Sequence, residues 1–240
     1  MTGTYINVAA ILVGSAIGLL FGARLSDHLK NTVIAGMGLF TSAVGMQMFL
    51  KTENALIVLG ALIFGAILGE WWGVEDGIQK LGAWLEKRFM GGSQDTSSKF
   101  VRGFLTASVL YCTGPMAVLG SISDGLKGDY LTLSIKSVLD GIISIAFAST
   151  LGIGVAFAAL PVLIYQGAIS LLASQLNAVV NTSMMNEMTA TGGVLLIGIG
   201  LSSLLEIKKI RVGNFLPALV IAPTLVYILS VITFYSKLIR

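Results

Sequence analysis

The chain has 240 residues, of which 55% are hydrophobic and only 11% are charged, and its formal net charge is +3. Soluble domains carry roughly 25% charged residues, so this composition excludes a water-soluble globular protein and indicates a protein embedded in a lipid bilayer. The basic residues lie in short connections and not on one clustered face, which argues against nucleic acid as a partner.

Residues that could carry enzyme or metal chemistry are scarce. Cys112 is the sole cysteine and His28 the sole histidine, which excludes a disulfide framework and a zinc site of the His/Cys type. The sequence contains no phosphate-binding loop, nucleophile elbow or zinc-protease motif. We therefore expect no enzyme and no cofactor, and the identity of any bound metal stays open.

Long apolar stretches predict an all-α polytopic membrane protein with seven or eight transmembrane helices, because about 20 apolar residues span the hydrocarbon as a helix. The eight candidates are residues 5–22, 32–50, 54–72, 100–122, 131–154, 157–175, 189–206 and 212–236. The first follows "MTGTYIN", which has no basic residue, so we expect a retained helix and not a cleaved signal. No charge separates the fifth and sixth candidates, so residues 131–175 form either two spans or one span plus a re-entrant segment.

Glycine recurs at every fourth position in the first and third candidates, within "ILVGSAIGLLFG" and "LIFGAILGEWWG", which lie 51 residues apart. Such spacing makes a groove that lets helix backbones approach closely. We therefore predict helix packing, within the chain or in a homo-oligomer, through Gly14, Gly18, Gly22, Gly65, Gly69 and Gly73.

Residues 74–90 show apolar side chains at helical spacing among many charges, which predicts an amphipathic helix on the cytoplasmic interface, anchored by Trp84. The segment "GGSQDTSS" at residues 91–98 reads as a flexible linker. It would join halves 1–90 and 99–240 of a single integral membrane domain.

The distribution of basic residues predicts the orientation, because cytoplasmic loops are enriched in Lys and Arg. With eight spans and an outside N-terminus, four basic residues face outward: Lys51, Lys127, Lys237 and Arg240. Ten face inward: Arg24, Lys30, Lys80, Lys87, Arg88, Lys99, Arg102, Lys208, Lys209 and Arg211. We therefore expect both termini on the outer side of the membrane.

The fourth candidate contains a helix break at Thr113, Gly114 and Pro115. Proline lacks an amide hydrogen and glycine lets the chain unwind, so carbonyls and amides are freed at membrane depth. These groups could bind an ion or a substrate carboxylate, or the feature could be a simple proline kink. A weaker echo, Thr191 and Gly192 in the seventh candidate, would face the opposite way and suggests an inverted repeat of discontinuous helices.

Ionisable groups within spans are costly, at roughly 2.5–3.5 kcal/mol each, and mark candidate sites. Lys136 and Asp140 are four residues apart, and with Ser137 and Ser144 they form a polar stripe on one helical face. One interpretation is that the pair serves helix packing alone. The other is that it binds a solute or a proton in a cavity. Two further candidate substrate-binding residues are Asp124 and Gln166.

Nearly the whole chain resembles a known family. The segments "INVAAILVGSAIGLLFG", "LYCTGPMAVLGSISDGLKGDYLTLSIKSVLDGIISIAFASTLGIGV", "PVLIYQGAISLLA" and "TGGVLLIGIGLSSLLEIKKIRVGNFLPAL" are similar to the bacterial inner-membrane family numbered 554 among domains of unknown function. The resemblance implies a multi-pass transporter of the bacterial inner membrane without an established substrate, and it supplies no residue roles. In that membrane, termini on the outer side would lie in the periplasm.

We therefore predict a secondary transporter or channel for a small ion or solute, with its site at the break and the Lys136–Asp140 face. A membrane scaffold or sensor, assembled through glycine grooves, is the alternative. An intramembrane enzyme comes third, because no pairing of nucleophile and base is evident.

Overall fold

The structure, a computed structural model, describes residues 1–23, 26–89, 94–208 and 210–238, and in these ranges it contains helices and no strand. The helices are α1 (Thr2–Gly22), α2 (Asp27–Phe49), α3 (Ala55–Trp72), α4 (Val74–Phe89), α5 (Gln94–Cys112), α6 (Pro115–Lys127), α7 (Leu131–Leu151), α8 (Gly154–Phe157), α9 (Ala159–Leu171), α10 (Ala173–Val179), α11 (Thr182–Ile199) and α12 (Ala218–Leu238). A π-helical turn, Gly200–Leu204, continues α11, and a 3₁₀ turn, Val212–Phe215, precedes α12. The all-α prediction is confirmed.

Seven helical segments of the described chain are long and apolar enough to cross a membrane. They are Thr2–Gly22, Asn31–Phe49, Ala55–Trp72, Leu131–Leu151, Gly154–Leu171, Thr182–Ser202 and Val212–Ile232. An eighth is obtained when α5 and α6, which are bent by 61°, count as one span. The predicted range of seven to eight is confirmed, and residues 131–175 contain two candidate spans.

The end of α7 shows why two spans form from one uninterrupted apolar stretch. Gly152 has a φ of 79°, a left-handed value that is cheap for glycine and costly for other residues. The chain turns there before α8 and α9 begin. No charge or proline is needed for this separation, which is why the sequence left the count open.

The prediction that Thr191 and Gly192 break the seventh span is wrong. Helix α11 begins at Thr182, after an Asn181 cap whose side chain accepts the Met184 amide at 2.9 Å, and it continues through both residues. Gly193 follows Gly192 where Pro115 follows Gly114, so no amide hydrogen is missing from α11 here and the helix can continue. The Thr191 hydroxyl donates to the Glu187 carbonyl at 2.8 Å, within the helix.

Two predictions about the middle of the chain have different outcomes. The amphipathic segment is helical as α4, with Trp84 exposed. Residues 94–98, predicted as linker, instead form the first turns of α5, while residues 90–93 lie outside the described residues. Arg24, Lys209 and Arg240, counted for orientation, also lie outside them.

Glycines bring α1 and α7 into close parallel contact. A Cβ added to any of three glycines of α1 would collide with a backbone carbonyl of α7. The pairs are Gly14 with Gly141, Gly18 with Ile145, and Gly22 with Ser149. Both members of each pair advance by four residues, so the two helices run in the same direction.

Helix α3 packs in the antiparallel direction against the start of α12. A Cβ on Gly65 would lie 2.7 Å from the Ala218 amide nitrogen, and one on Gly69 would collide with the Asn214 carbonyl. Gly73 does not belong to this groove, which corrects its assignment to helix packing. It ends α3 with a φ of 63°, and its nearest neighbour would be an Asp76 oxygen at 4.0 Å.

The α5–α6 pair carries the chain from one end of the helix bundle to the other. At what we term the opposite end (residues 70–80, 99–102, 205–208 and 210–214), Arg102 pairs with Glu206 at 2.5 Å. At the N-terminal end (residues 1–3, 50–54, 124–133 and 181–187), Asp124 lies 3.2 Å from the Met1 amino group. The chain thus enters α5 at one end and leaves α6 at the other.

Candidate functional site

A buried polar network lies where α1, α5 and α7 meet. On α7, the side chains of the predicted polar stripe are all buried: Lys136, Ser137, Asp140 and Ser144. Their spacing of one to four residues places them on one face of the helix. Several apolar side chains of α7, among them Ile135, Leu139 and Ile142, are exposed on another face, where lipid would surround them.

Asp140 is the centre of this network. Its Oδ2 accepts hydrogen bonds from the Lys136 ammonium on the same helix and from the Asn7 amide on α1, the latter at 3.0 Å. Lys136 and Asp140 are only 6% and 5% exposed. The cation and the amide therefore offset part of the cost of burying the carboxylate.

Asn7 was not among the predicted site residues. It is fully buried, and its Oδ1 has no hydrogen-bond partner in the described part of the chain. An amide within the first two turns of a mainly apolar span is a signal that could have identified it.

Tyr111 connects the network to the bend between α5 and α6. Its hydroxyl lies 2.7 Å from the Ser144 hydroxyl, and the Lys136 ammonium lies 5.6 Å from the centre of its ring. This is the range of a cation–π interaction. Tyr111 is in the last turn of α5, so the network reaches the residues that form the bend.

The helix break falls at the residues that the sequence indicated. Helix α5 ends at Cys112 and α6 begins at Pro115, where a missing amide hydrogen costs nothing. The Thr113 hydroxyl donates to the Val109 carbonyl at 2.5 Å, and the Ala117 amide donates to the Gly114 carbonyl at 3.0 Å. An added Cβ at Gly114 would meet no atom within 4 Å, so the bend borders open space.

The two Thr-Gly pairs are neighbours, although only one breaks a helix. A Cβ added to Gly192 would lie 2.6 Å from the Thr113 Cβ, so α11 passes directly beside the bend. Thr191 is fully buried next to it.

Asp124, which was predicted to bind substrate, has partners within the chain. Its carboxylate accepts the Gly3 amide at 3.0 Å and lies beside the amino group of Met1. A carboxylate at the start of a helix is stabilised by the helix dipole, so Asp124 fixes α6 to the N-terminus of α1.

Gln166 on α9 is fully buried, and neither atom of its amide group has a hydrogen-bond partner among the described residues. The Thr4 hydroxyl of α1 is in the same condition. Buried polar groups in native proteins almost always have partners, frequently ordered water. These groups have capacity to bind water or a solute.

A cavity of about 400 Å³ lies beside the bend. Cys112 and Thr113 border it on the side of α5, and Met184, Met185 and Met188 border it on the side of α11. Neither Lys136 nor Asp140 lines this cavity. The bend therefore has the polar network on one side and a mainly apolar cavity on another.

Sequence reasoning also missed Glu187, a buried carboxylate on α11. Its Oε1 accepts the backbone amides of Glu53 at 2.7 Å and Asn54 at 2.9 Å, in the connection between α2 and α3. The Glu53 carboxylate in turn accepts from Ser183 at 2.7 Å and Asn186 at 2.8 Å. These two hydrogen bonds lower the pKa of Glu53 below its ordinary value. Glu187 lies two residues before the predicted span 189–206, so the search for charges within spans passed over it.

At the opposite end, Arg211 binds two carboxylates, Glu70 at 2.6 Å and Asp76 at 2.5 Å. The hydrogen bond to Asp76 is the main reason that the pKa of Arg211 is raised. Glu75 is buried, and one of its carboxylate oxygens accepts the Gly213 amide at 2.7 Å. These contacts connect α3 and α4 to the 3₁₀ turn.

Comparison with known proteins agrees with this architecture. The family model described as "Protein of unknown function (DUF554)" matches residues 2–227. The uncharacterized membrane protein YdfK of Bacillus subtilis (strain 168) is 34% identical over 233 residues, which cover 95% of this chain and 97% of that protein. The uncharacterized protein YqgA of Escherichia coli (strain K12) is 30% identical over 221 residues, covering 92% and 94%. No solved structure gives a significant match.

Proposed function

The chain belongs to the DUF554 family of multi-pass membrane proteins, and we propose that it is a secondary transporter or channel for a small ion or solute. The observation that carries this proposal is the buried Asn7–Asp140–Lys136 network. Charged side chains within membrane spans are costly, and they commonly mark ion and substrate routes. We place the protein in the bacterial inner membrane with both termini in the periplasm.

Unused hydrogen-bonding capacity on α1 and α9 supports this function. A pair that served packing alone would need only its own members, whereas here Asn7 Oδ1 and both amide atoms of Gln166 have no described partner. A solute or water passing between α1, α7 and α9 would satisfy such groups. The open space at Gly114 adds a place where the backbone is accessible.

The alternative of a scaffold assembled through glycine grooves is weakened by how the grooves are used. The glycines of α1 contact α7, and Gly65 and Gly69 contact residues 214–218 of the same chain. These grooves are therefore occupied within one molecule, and a homo-oligomer would have to form through other surfaces.

Flux in proteoliposomes tests the proposal. Vesicles containing the protein receive imposed gradients of H⁺, Na⁺, K⁺ and Cl⁻, followed with pyranine and a voltage-sensitive dye, and osmotic gradients of urea and glycerol, followed by light scattering. We expect at least one flux well above that of empty vesicles, and its loss in the folded double variant Lys136→Met with Asp140→Leu.

A matched control removes Arg211 and one of its two exposed carboxylate partners, by Arg211→Met with Asp76→Leu, and should keep the flux because these residues lie outside the network. A network variant that folds and transports at the parent rate would remove Asp140 from the mechanism. Parent vesicles as impermeable as empty ones to every probe would favour the scaffold.

A further inference from the structure

Sulfur-containing side chains are concentrated around the cavity beside the bend. The chain has nine methionines and one cysteine, and four of these ten side chains line this single cavity of about 400 Å³: Cys112, Met184, Met185 and Met188. Cys112 approaches from the end of α5, and the methionines approach from the first turns of α11.

The spacing of the methionines directs them to the same side. Met184 and Met188 are four residues apart, and Met185 and Met188 are three apart, which places all three on one face of α11. The Met188 sulfur accepts a hydrogen bond from the Tyr165 hydroxyl at 3.6 Å, so it points across the cavity toward α9.

The backbone that carries these methionines is well anchored. The Asn181 side chain caps the Met184 amide at 2.9 Å, and Glu187 binds the connection between α2 and α3. The sulfur atoms therefore belong to a helix start that is fixed at its own cap and through a neighbouring loop.

The remaining lining of the cavity excludes hard cations and anions as its ligands. No carboxylate, amide or basic side chain is among the described residues that line the cavity. Its threonine hydroxyls donate to carbonyls of their own helices, Thr113 to Val109 at 2.5 Å and Thr224 to Val220 at 2.7 Å. Hard cations need several oxygen ligands, and anions need positive donors, whereas thiol and thioether groups favour soft cations.

We propose that Cys112, Met184 and Met188, with Met185 beside them, form a binding site for a soft monovalent cation, copper(I) or its analogue silver(I). The site is separate from the Asp140 network, because neither Lys136 nor Asp140 lines the cavity. Cys112 and Tyr165 also line a neighbouring cavity of about 500 Å³, so the cation site lies between two open volumes.

Titration of the full chain in detergent with silver(I), under reducing and chloride-free conditions, tests the proposal by calorimetry and by melting temperature. We expect one high-affinity ion per chain, a raised melting temperature, and at least tenfold weaker binding in the double variant Met184→Leu with Met188→Leu. Leucine and methionine have similar volumes, so the double variant should keep the fold. Met46→Leu, at an exposed position of α2, is the matched control and should bind like the parent.

Two results would overturn the site. Binding that is lost in Cys112→Ser but unchanged in the methionine double variant would show a lone reactive thiol. Absence of silver(I) binding would leave the cavity to an apolar molecule such as a lipid chain.

Copper X-ray absorption of the copper(I)-loaded parent gives a second measurement that needs no variant. We expect a shell of several sulfur atoms around the copper, and a shell of mainly nitrogen or oxygen would contradict the proposal.

Discussion

Asp140 shows how one residue depends on partners from two helices. The Lys136 ammonium and the Asn7 amide both donate to the same carboxylate oxygen, and all three side chains are buried. Lys136 comes from the same helix and is fixed by the i,i+4 spacing, whereas Asn7 is brought there by the packing of α1 on α7. Removing any one of them leaves a buried polar group without its partner.

The first prediction follows from that arrangement. Lys136→Met strands the Asp140 carboxylate, and we expect it to lower the free energy of unfolding by about 3–5 kcal/mol. The double variant with Asp140→Leu should recover most of this loss, because buried ion pairs often stabilise no more than apolar replacements. Recovery should fall short by about 1–3 kcal/mol, since the Asn7 amide then lacks its acceptor.

Melting in detergent for the single and double variants, with and without Asn7→Leu, measures these differences. A double variant no more stable than Lys136→Met would mean that the pair does not act as one unit.

The second prediction concerns pH and Glu53, which lies in the connection between α2 and α3. Hydrogen bonds from Ser183 and Asn186 lower the pKa of its carboxyl from 4.5. A group with a lowered pKa in the folded state contributes stability above its unfolded pKa and loses it as the pH falls through the folded value. Glu53→Gln should therefore reduce the melting temperature at pH 7 and make its decline below about pH 4.5 less steep than in the parent.

The comparison is made by melting both proteins in detergent from pH 7 to pH 3.5. The difference between the two curves isolates Glu53 from the other carboxylates. Parallel curves over this range would contradict the prediction.

At the scale of elements, α1 and α7 pack closely along much of their length, because three glycines place backbone against backbone. In lipid there is little hydrophobic force between helices, so close van der Waals packing by small residues becomes the main source of association. The same device joins α3 to the start of α12 through Gly65 and Gly69. Not every glycine in a span serves this purpose. A Cβ added to Gly36 on α2 would have no neighbour within 4 Å.

The third prediction uses this contrast. Gly18→Ala places a methyl group against the Ile145 carbonyl, and we expect overpacking to cost about 1–3 kcal/mol, more than the helix propensity gained. Gly36→Ala adds the same methyl group to open space and should stabilise α2 by up to about 1 kcal/mol. Thermal melting of both variants in one detergent gives the comparison, and equal shifts would mean that the α1–α7 contact is not tight.

For the whole molecule, the directions of the packed helices bear on the number of membrane crossings. Helix α1 runs parallel to α7, and the α5–α6 pair joins one end of the bundle to the other. If α5 and α6 turned back without crossing, α7 would begin at the opposite end and run antiparallel to α1. The contacts thus favour eight spans over seven. The basic residues are divided unequally between the two ends of the bundle. Lys80, Arg102 and Lys208 lie at the opposite end, and Lys51 and Lys127 lie at the N-terminal end.

The fourth prediction tests the orientation of the two ends. In a Cys112→Ser background, Lys80→Cys should react with a membrane-impermeant maleimide from the cytoplasm only, because the opposite end carries more basic residues. Lys51→Cys, also exposed, is the matched control and should react from the periplasm only. The reverse pattern in intact cells and inverted vesicles would invert the topology.

The sequence by itself determined the membrane class, the helical content and the position of the α5–α6 break. Apolar length and the Gly-Pro pair are local properties, and local chemistry is enough to fix them. It also placed Lys136 and Asp140 on one face, because their spacing matches a helical repeat. Thr191 and Gly192 gave a similar local signal but no proline, and the helix did not break there.

Only the tertiary structure decided which polar residues meet. Asn7 reaches Asp140 across 133 positions of sequence, Glu187 reaches the α2–α3 connection, and Asp124 reaches the N-terminus of α1. No periodicity encodes such contacts, because they depend on which helices become neighbours and in which direction they run. The glycine grooves illustrate the same division: their spacing was evident in the sequence, but their partners, α7 and residues 214–218, were set by backbone packing among distant helices.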